Sequence, residues 1–310
     1  MMSVLPVGVI GAGRHASALL DHATAFGQLR LAAWAASPDG SDADAAAACA
    51  VRAGAAPRLW QAVAGDPSLA AVLLLGSAGP EAAEAALRAG RLVLCPPPAT
   101  PDDAALARLI GAERAGGGTL LLGGELAHGE AGSRALAAIR DPAFGALRTL
   151  FLSIRQPRGA GPDILEAAGW EALDFVLAVL PGRVVRAQAT GGALFGGATR
   201  DTLSALLLCD DGVVVTLELS RCLPATIPAP GLGEVEIEAV GTRQSVRATP
   251  HAEAVRILGD RGVNAAPWLD PPVALMLRRL AAACETRPPS DLPRAAATLA
   301  VMTAIRAALA

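Results

Sequence analysis

Apolar residues in the first third of the chain fall into short runs that alternate with longer amphipathic stretches. Glycine, proline or polar residues bound each run, as is typical of strands buried on both faces of a sheet. Strands that alternate with helices indicate βαβ units and a parallel sheet. The predicted strands are Pro6–Ile10, Leu29–Ala36, Ala70–Leu75, Leu92–Cys95 and Thr119–Leu122. The predicted helices are Ser17–Phe26, Ala43–Arg52, Pro80–Ala89 and Asp102–Ala115.

The pattern changes after about residue 145, where apolar and polar residues alternate, as Leu217 and Leu219 do around Glu218. Such alternation indicates an antiparallel sheet with one covered face. The Asp210-Asp211-Gly212 sequence is a hairpin-turn signal within it. The predicted strands are Leu147–Arg155, Val184–Thr190, Thr202–Cys209, Gly212–Ser220, Val235–Gly241 and Ser245–Arg247. The predicted helices are Ile164–Leu180, Pro272–Thr286 and Leu292–Leu309.

A glycine-rich turn follows the first predicted strand and opens the first helix, in the order Gly11, Ala12, Gly13, Arg14, His15, Ala16. It fits the G-x-G-x-x-G/A pattern, in which the first glycine permits a tight turn and the second lets a pyrophosphate approach the backbone. Free amides at the helix start favour the anion. The turn therefore predicts a dinucleotide site, or a fold that keeps the turn without binding.

These patterns together predict an α/β protein with two domains. The first, over residues 1–122, is an N-terminal Rossmann dinucleotide-binding domain. The second, over residues 123–310, is a C-terminal α+β domain with a mostly antiparallel open sheet and the C-terminal helices. The candidate cofactor-binding residues lie on the turns that follow the parallel strands: Gly11, Gly13, Arg14, His15, Ala36, Ser37, Gly76, Ser77, Cys95, Pro96 and Pro97.

The choice between NAD and NADP stays open at the end of the second strand. An acidic residue that holds the adenosine ribose of NAD is expected there, but Ala36 occupies the position. Ala36 and Ser37 leave room for the 2′-phosphate of NADP, although no arginine follows directly. Asp39 is interpreted as a turn residue.

Composition and charge exclude several function classes. Of the 310 residues, 53% are hydrophobic, and the net charge of −3 offers no basic surface for nucleic acid. No apolar run approaches the roughly 18–20 residues of a membrane-spanning helix, and the N-terminus does not resemble a signal peptide. We therefore expect a cytoplasmic protein with no membrane partner. Scattered cysteines without CxxC spacing predict neither a metal site nor a disulfide framework.

The chain contains neither lysine nor tyrosine, and the 26 residues counted as lysine plus arginine are all arginine. A Schiff base, a pyridoxal-phosphate anchor and a lysine general acid are thereby excluded.

Several segments resemble a known family in their order and spacing. They are Ala86–Cys95, Gly145–Leu152, Gly182–Ala187, Asp211–Leu217, Glu238–Thr242 and Arg294–Ala308. Together they resemble the glucose–fructose oxidoreductase / inositol dehydrogenase / MocA family along nearly the whole chain. The resemblance implies an NAD(P)-dependent oxidoreductase that assembles as a homodimer or homotetramer through its C-terminal sheet.

The chain departs from that family at its chemical residues. Pro96-Pro97-Pro98 stands where the family carries Glu-Lys-Pro, whose lysine is catalytic. By the same resemblance Glu171 takes the place of the family's histidine on a helix, and Asp174 matches that motif's final aspartate. His128 takes the place of an aromatic residue that the family carries near its cleft. The candidate catalytic residues are therefore Glu171, Asp174 and His128, and no metal is expected.

Each of these candidates has an alternative interpretation. Glu171 is either a replacement general acid/base or part of a solvated helix face, and His128 either contacts substrate or packs. Arg155 and Arg158 either hold a substrate carboxylate or phosphate or lie on the surface. Cys95 is interpreted as an inert buried thiol.

Three functions stay open on the sequence alone. The first is an NAD(P)-dependent oxidoreductase acting on a small polar substrate, such as a sugar, cyclitol or imine, with non-standard proton-transfer residues. The second is a non-catalytic protein that binds a cofactor or metabolite, as a pseudoenzyme or partner subunit. The third is a structural protein whose open sheet face forms oligomers.

Overall fold

In the computed structural model, the apolar runs at the start of the chain form parallel strands. The structure describes residues 4–13, 16–76, 78–98, 100, 102–196, 198–226, 232–249, 254–259, 262–267 and 272–309. The chain divides into two compact units. The first comprises Met1–Gly123 with Pro271–Ala296, and the second comprises Gly124–Asp270 with Ala297–Ala310.

The helices and strands have the following bounds in chain order. The first part contains β1 Leu5–Ile10, α1 Ala16–Phe26, β2 Leu29–Ala35, α2 Ala43–Ala53, β3 Ala56–Pro57, α3 Trp60–Gly65, β4 Ala71–Leu74, α4 Gly79–Arg88, β5 Leu92–Cys95, α5 Asp103–Gly116 and β6 Thr119–Leu122. The middle contains α6 Glu125–His128, α7 Glu130–Arg140, β7 Leu147–Pro157, α8 Ile164–Val179, β8 Val184–Gly192, β9 Thr202–Cys209, β10 Val214–Leu223, β11 Glu234–Gly241, β12 Gln244–Thr249, β13 Ala254–Gly259 and β14 Gly262–Pro267. The last two helices are α9 Pro272–Thr286 and α10 Leu292–Ala308.

The sheet of the first unit has the strand order β3-β2-β1-β4-β5-β6, and its paired strands run parallel. Every residue of β4 and β5 is buried, which explains their uninterrupted apolar runs. The chain reverses its direction of strand addition between β1 and β4. Ligands of open α/β sheets bind at such a switch point, beyond the carboxyl ends of the strands.

Helix α9 belongs to the first unit, which differs from the predicted division at residue 122. Leu277 and Leu280 of α9 lie in the same core as Leu73 and Leu94 of the parallel sheet. Asp291, which follows α9, accepts a hydrogen bond from the Leu122 amide at 2.8 Å. Burial of the apolar face of α9 therefore returns the chain to the first sheet.

The second unit contains an eight-stranded sheet in the order β14-β13-β12-β11-β7-β10-β9-β8. The β7–β10 pair is parallel and the other neighbours are antiparallel. The predicted hairpin joins β9 to β10, and Gly212 has a φ of +84° at its turn. The α/β class, with a Rossmann-like parallel sheet and a second, mostly antiparallel sheet, is confirmed.

Helix α8 covers one face of this second sheet. Val215, Leu217 and Leu219 of β10 are buried, whereas the intervening Thr216 and Glu218 are half-buried. The predicted alternation is therefore confirmed for β10. In the described part of the chain no helix is long and apolar enough to cross a membrane.

Candidate functional site

The turns after β1 and β4 touch backbone to backbone at the switch point of the parallel sheet. Gly11 has a φ of +92°, and a Cβ there would lie 2.1 Å from the Leu75 carbonyl oxygen. Gly76 has a φ of +55°, and its Cβ would lie 2.0 Å from the Ala12 carbonyl oxygen. Because side chains fit neither the space nor the dihedral angles, both positions require glycine.

Gly13 completes this contact, since a Cβ there would lie 3.0 Å from the Cα of Gly76. Gly13 is nevertheless exposed on its other side. An anion therefore has access to the backbone at this turn, as the G-x-G-x-x-A pattern predicts. Arg14, His15 and Ser77 lie outside the described residues.

A carboxylate that sequence reasoning missed joins the glycine-rich turn to the end of β2. Asp42, directly before α2, accepts hydrogen bonds from the Ala12 amide at 2.5 Å, the Ser37 amide at 2.8 Å and the Ser37 hydroxyl at 2.6 Å. Ser37 is buried and Ala36 is half-buried beside it. An acid is therefore present at the end of β2 after all, but it comes from the start of the following helix.

The geometry at this edge of the sheet fits the adenosine half of a dinucleotide. A carboxylate has about four acceptor positions, and the structure shows three hydrogen bonds to Asp42. About one acceptor position is left for a ribose hydroxyl. The residues present here therefore suit a neutral diol better than a second anion.

The end of β5 and the three prolines that follow it contribute no proton donor. Burial raises the pKa of the Cys95 thiol to about 12, so that the thiol stays protonated, and its Sγ donates to the Pro96 carbonyl oxygen at 3.3 Å. Pro96 and Pro97 are half-buried, Pro98 is exposed, and none of them has an amide hydrogen. The interpretation of Cys95 as an inert buried thiol agrees with this environment.

Glu171 lies in the middle of α8 and is only 7% exposed. Its Oε1 accepts from the Glu125 amide at 3.2 Å, and its Oε2 accepts from the Leu126 amide at 3.3 Å. Burial raises its pKa from 4.5 to about 8, and the charges of Glu125 and Asp174 act in the same direction. The hydrogen bonds from the two amides lower the pKa, but by less. Glu171 is thus protonated at neutral pH, and burial rules out a solvated helix face.

Asp174 lies one turn further along α8 and is fully buried. His128 is half-buried at the last position of α6, the helix whose first amides bind Glu171. The second unit therefore brings Glu171 and Asp174 together on α8 and places the helix that carries His128 against them. Their roles in catalysis stay predictions.

Arg155, near the end of β7, and Arg158, directly after β7, differ in their surroundings. Arg155 is half-buried and pairs with Glu236 at 3.8 Å. Arg158 is exposed and lies over the ring of Phe195. Among the residues that the structure describes, no cluster of histidine, cysteine, aspartate and glutamate has the geometry of a metal site.

No protein-family model matches the sequence, and no curated protein matches it. Solved structures do match the fold over almost the whole chain. The UDP-N-acetylglucosamine 3-dehydrogenase of Acidithiobacillus ferrooxidans is 22% identical, with 99% of this chain and 98% of that chain covered and a TM-score of 0.82. The aldose-aldose oxidoreductase of Caulobacter crescentus, in complex with glycerol, is 18% identical, with 99% and 97% covered and a TM-score of 0.80.

An oxidoreductase from Agrobacterium radiobacter, in complex with NAD+, L-tartaric acid and magnesium, is 15% identical, with 99% and 96% covered and a TM-score of 0.82. Likeness at these identities concerns the fold. The fold expected from the glucose–fructose oxidoreductase / inositol dehydrogenase / MocA resemblance is confirmed, and this chain shares the two-domain architecture of those dehydrogenases.

Proposed function

We propose that this chain is an NAD(H)-dependent oxidoreductase acting on a small polar substrate, such as a sugar, a cyclitol or an imine. The observation that carries the proposal is the glycine-built turn at the switch point together with the Asp42 carboxylate bound to it. The similar structures support it, because one of them was determined with NAD+. NAD rather than NADP is the cofactor that the charge of Asp42 favours.

The preference for NAD follows from electrostatics at the end of β2. The 2′-phosphate of NADP would bring negative charge close to the Asp42 carboxylate, whereas a 2′-hydroxyl can donate a hydrogen bond to it. Ser37 cannot compensate, because its hydroxyl and amide both donate to Asp42.

The proton of the reaction has to come from a group other than lysine or tyrosine, since the chain contains neither. The nicotinamide supplies or accepts the hydride when it is bound. We assign the proton to Glu171, whose pKa of about 8 leaves it protonated at neutral pH and close to the ideal value for a general acid. In the reducing direction Glu171 would give this proton to the oxygen or nitrogen of the substrate.

The test is a fluorescence titration of the protein with NADH and with NADPH. We expect saturable binding of NADH and at least about tenfold weaker binding of NADPH. Asp42→Asn removes the charge with little change of shape and should bring the two affinities closer together. Asp39→Asn is the matched control, because Asp39 is exposed on the same loop and its carboxylate accepts from the amide and the hydroxyl of Ser41. The proposal would be refuted if neither NADH nor NADPH bound to the protein.

A second candidate function is a protein that binds the dinucleotide without turnover. The observation in its favour is the Pro96-Pro97-Pro98 loop, which offers neither a proton nor an amide donor. Binding of NADH with no hydride exchange from labelled sugar or cyclitol substrates would favour this candidate. An activity that Glu171→Gln reduces would favour the first.

We also propose that the chain forms a homodimer or homotetramer through the open face of the second sheet. Leu206 is 44% exposed, Leu208 is 40% exposed and Val240 is 38% exposed. The strand register aligns Leu208 with Val214, so that apolar side chains continue across neighbouring strands. An exposed apolar sheet surface of this kind is typical of an interface between subunits.

A further inference from the structure

We propose that the second unit contains a binding pocket for a small anion, with Arg221 as its main ligand. The pocket has a volume of about 400 Å³ and lies between the loop after β7, the loop that joins β8 to β9, and the end of β10. All of its lining residues belong to the second unit. It contains none of the residues proposed above for cofactor binding or proton transfer.

Arg221 is a charged residue on the apolar side of β10. It follows Leu217 and Leu219 in the buried positions of that strand and is only 6% exposed. Burial of a guanidinium is costly unless acceptors satisfy its five N–H donors. Among the described residues, no carboxylate or carbonyl oxygen makes a hydrogen bond or an ion pair with the Arg221 side chain.

The loop after β7 packs against this guanidinium. A Cβ on Gly161 would lie 3.0 Å from Nη2, 3.1 Å from Cζ and 3.4 Å from Nε of Arg221. These three distances show that the Gly161 backbone lies alongside the guanidinium, where a larger residue would press on it. Thr199 holds the loop in place, because its hydroxyl donates to the Gly161 carbonyl oxygen at 2.9 Å.

Arg158 provides a second cation at the pocket. Its Cζ lies 4.7 Å from the centre of the Phe195 ring, and its Nε donates to the Cys222 carbonyl oxygen at 3.2 Å. A cation above an aromatic face is attracted by the ring quadrupole. These contacts orient the guanidinium while leaving its two Nη groups available to a ligand.

The one acidic residue in the lining, Asp201, is engaged in holding the loop that joins β8 to β9. Its carboxylate accepts from the amides of Leu194 and Phe195, each at 2.8 Å, and from the Thr202 hydroxyl at 3.1 Å. Arg158 and Arg221 thus leave an excess of positive charge in the lining. A planar carboxylate or a phosphate is the group that paired guanidinium donors bind best.

The chemical class of the ligand follows from this charge and from the volume. Sites for small molecules commonly measure about 300–1,000 Å³, and this pocket falls in the lower part of that range. The occupant is a compact metabolite that carries a carboxylate or a phosphate. The pocket stands independently of the proposed oxidoreductase function, since its argument uses only the second unit.

The experiment is isothermal titration of the full chain with sodium malonate and, separately, with sodium phosphate, at matched ionic strength. We expect saturable binding of at least one anion, and the stronger of the two identifies the carboxylate or the phosphate as the preferred group. Arg221→Met should weaken that binding by about tenfold or more, because a charge-assisted hydrogen bond is lost. Arg158→Gln, at an exposed position that does not threaten folding, should weaken it by severalfold.

Arg183→Gln is the matched control, since Arg183 is an exposed arginine of the same unit, 3.4 Å from Asp210 and outside the pocket. It should leave anion affinity unchanged, and all three variants should bind NADH as the unaltered chain does. The proposal is overturned if neither malonate nor phosphate shows saturable binding. Equal anion binding in Arg221→Met, Arg158→Gln and the unaltered chain also overturns it, because that result would place the bound anion outside this pocket.

Discussion

Titration of Glu171 should make the protein less stable as pH rises through the neutral range. Its carboxyl has a pKa of about 8 in the folded chain against 4.5 for the ordinary group. Between those values the folded state holds a proton that the unfolded state has released, so that the free energy of unfolding falls as pH increases. The contribution of Glu171 to stability is complete at a pH below its pKa in the unfolded chain. It is lost as the pH rises through its pKa in the folded chain.

The size of this effect follows from the pKa difference. At about 1.36 kcal/mol per pKa unit, the full difference corresponds to at most about 5 kcal/mol. Since part of it is already lost at about pH 5, the expected decrease from about pH 5 to about pH 9 is about 4 kcal/mol. That is a large fraction of the roughly 5–15 kcal/mol that stabilises a typical domain.

Glu171→Gln isolates this contribution, because glutamine has the shape of the protonated carboxyl and does not titrate. Its single carbonyl oxygen can serve only one of the Glu125 and Leu126 amides, which should cost about 1 kcal/mol at low pH. At high pH the variant avoids the buried charge and should be more stable than the unaltered chain. The two stability curves should therefore cross at about pH 5, where the unaltered chain has lost about 1 kcal/mol.

The assay is urea unfolding across this pH range, followed by circular dichroism and tryptophan fluorescence. Glu166→Gln is the matched control, since Glu166 lies exposed on the same helix. It should keep the pH dependence of the unaltered chain. Parallel curves for Glu171→Gln and the unaltered chain would refute the assignment of the raised pKa to Glu171.

Two further predictions concern the glycine contact and the open sheet face. Gly76→Ala should lower the free energy of unfolding by about 3 kcal/mol or more and abolish NADH binding, because its Cβ would lie 2.0 Å from the Ala12 carbonyl oxygen. Gly27→Ala is the control, since Gly27 also has a positive φ but a Cβ there would have nothing within 4 Å, and it should cost only about 1 kcal/mol. Equal losses of stability in urea unfolding would contradict this reasoning. Leu208→Arg should reduce the mass found by sedimentation to that of a single chain, whereas Val51→Arg, at an 82% exposed position of the first unit, should not. An unchanged mass for Leu208→Arg would place the interface elsewhere.

Much of the fold could be predicted because its signals are local. The bounds of Leu92–Cys95 and Thr119–Leu122 were predicted without error, since a short apolar run between turn residues has few other interpretations. Strands β13 and β14 and helices α6 and α7 were missed. Strands β13 and β14 span six residues each and α6 spans four, which is too short to show a clear period. Helix α7 is amphipathic, so that its pattern was a signal that the sequence did offer.

The candidate site depended more strongly on tertiary structure. The glycine-rich turn was evident from spacing alone, because glycine at a turn between strand and helix has a specific conformational cause. Asp42 looked like an ordinary residue before a helix, and only folding brings it to an amide that is 30 positions away. The sequence pattern pointed instead to the position of Ala36 as the place for the acidic residue.

Sequence by itself determined the parallel sheet, the alternating second sheet and the turn that suits a dinucleotide, since periodicity and glycine act over a few residues. It also determined which chemistry is missing, because a chain without lysine cannot use one. Only the tertiary structure decided that Glu171 is buried against amides 46 and 45 positions away and that Arg221 reaches a pocket. Burial and charge depend on which distant segments pack together, and those neighbours set the pKa and the ligand preference of each group.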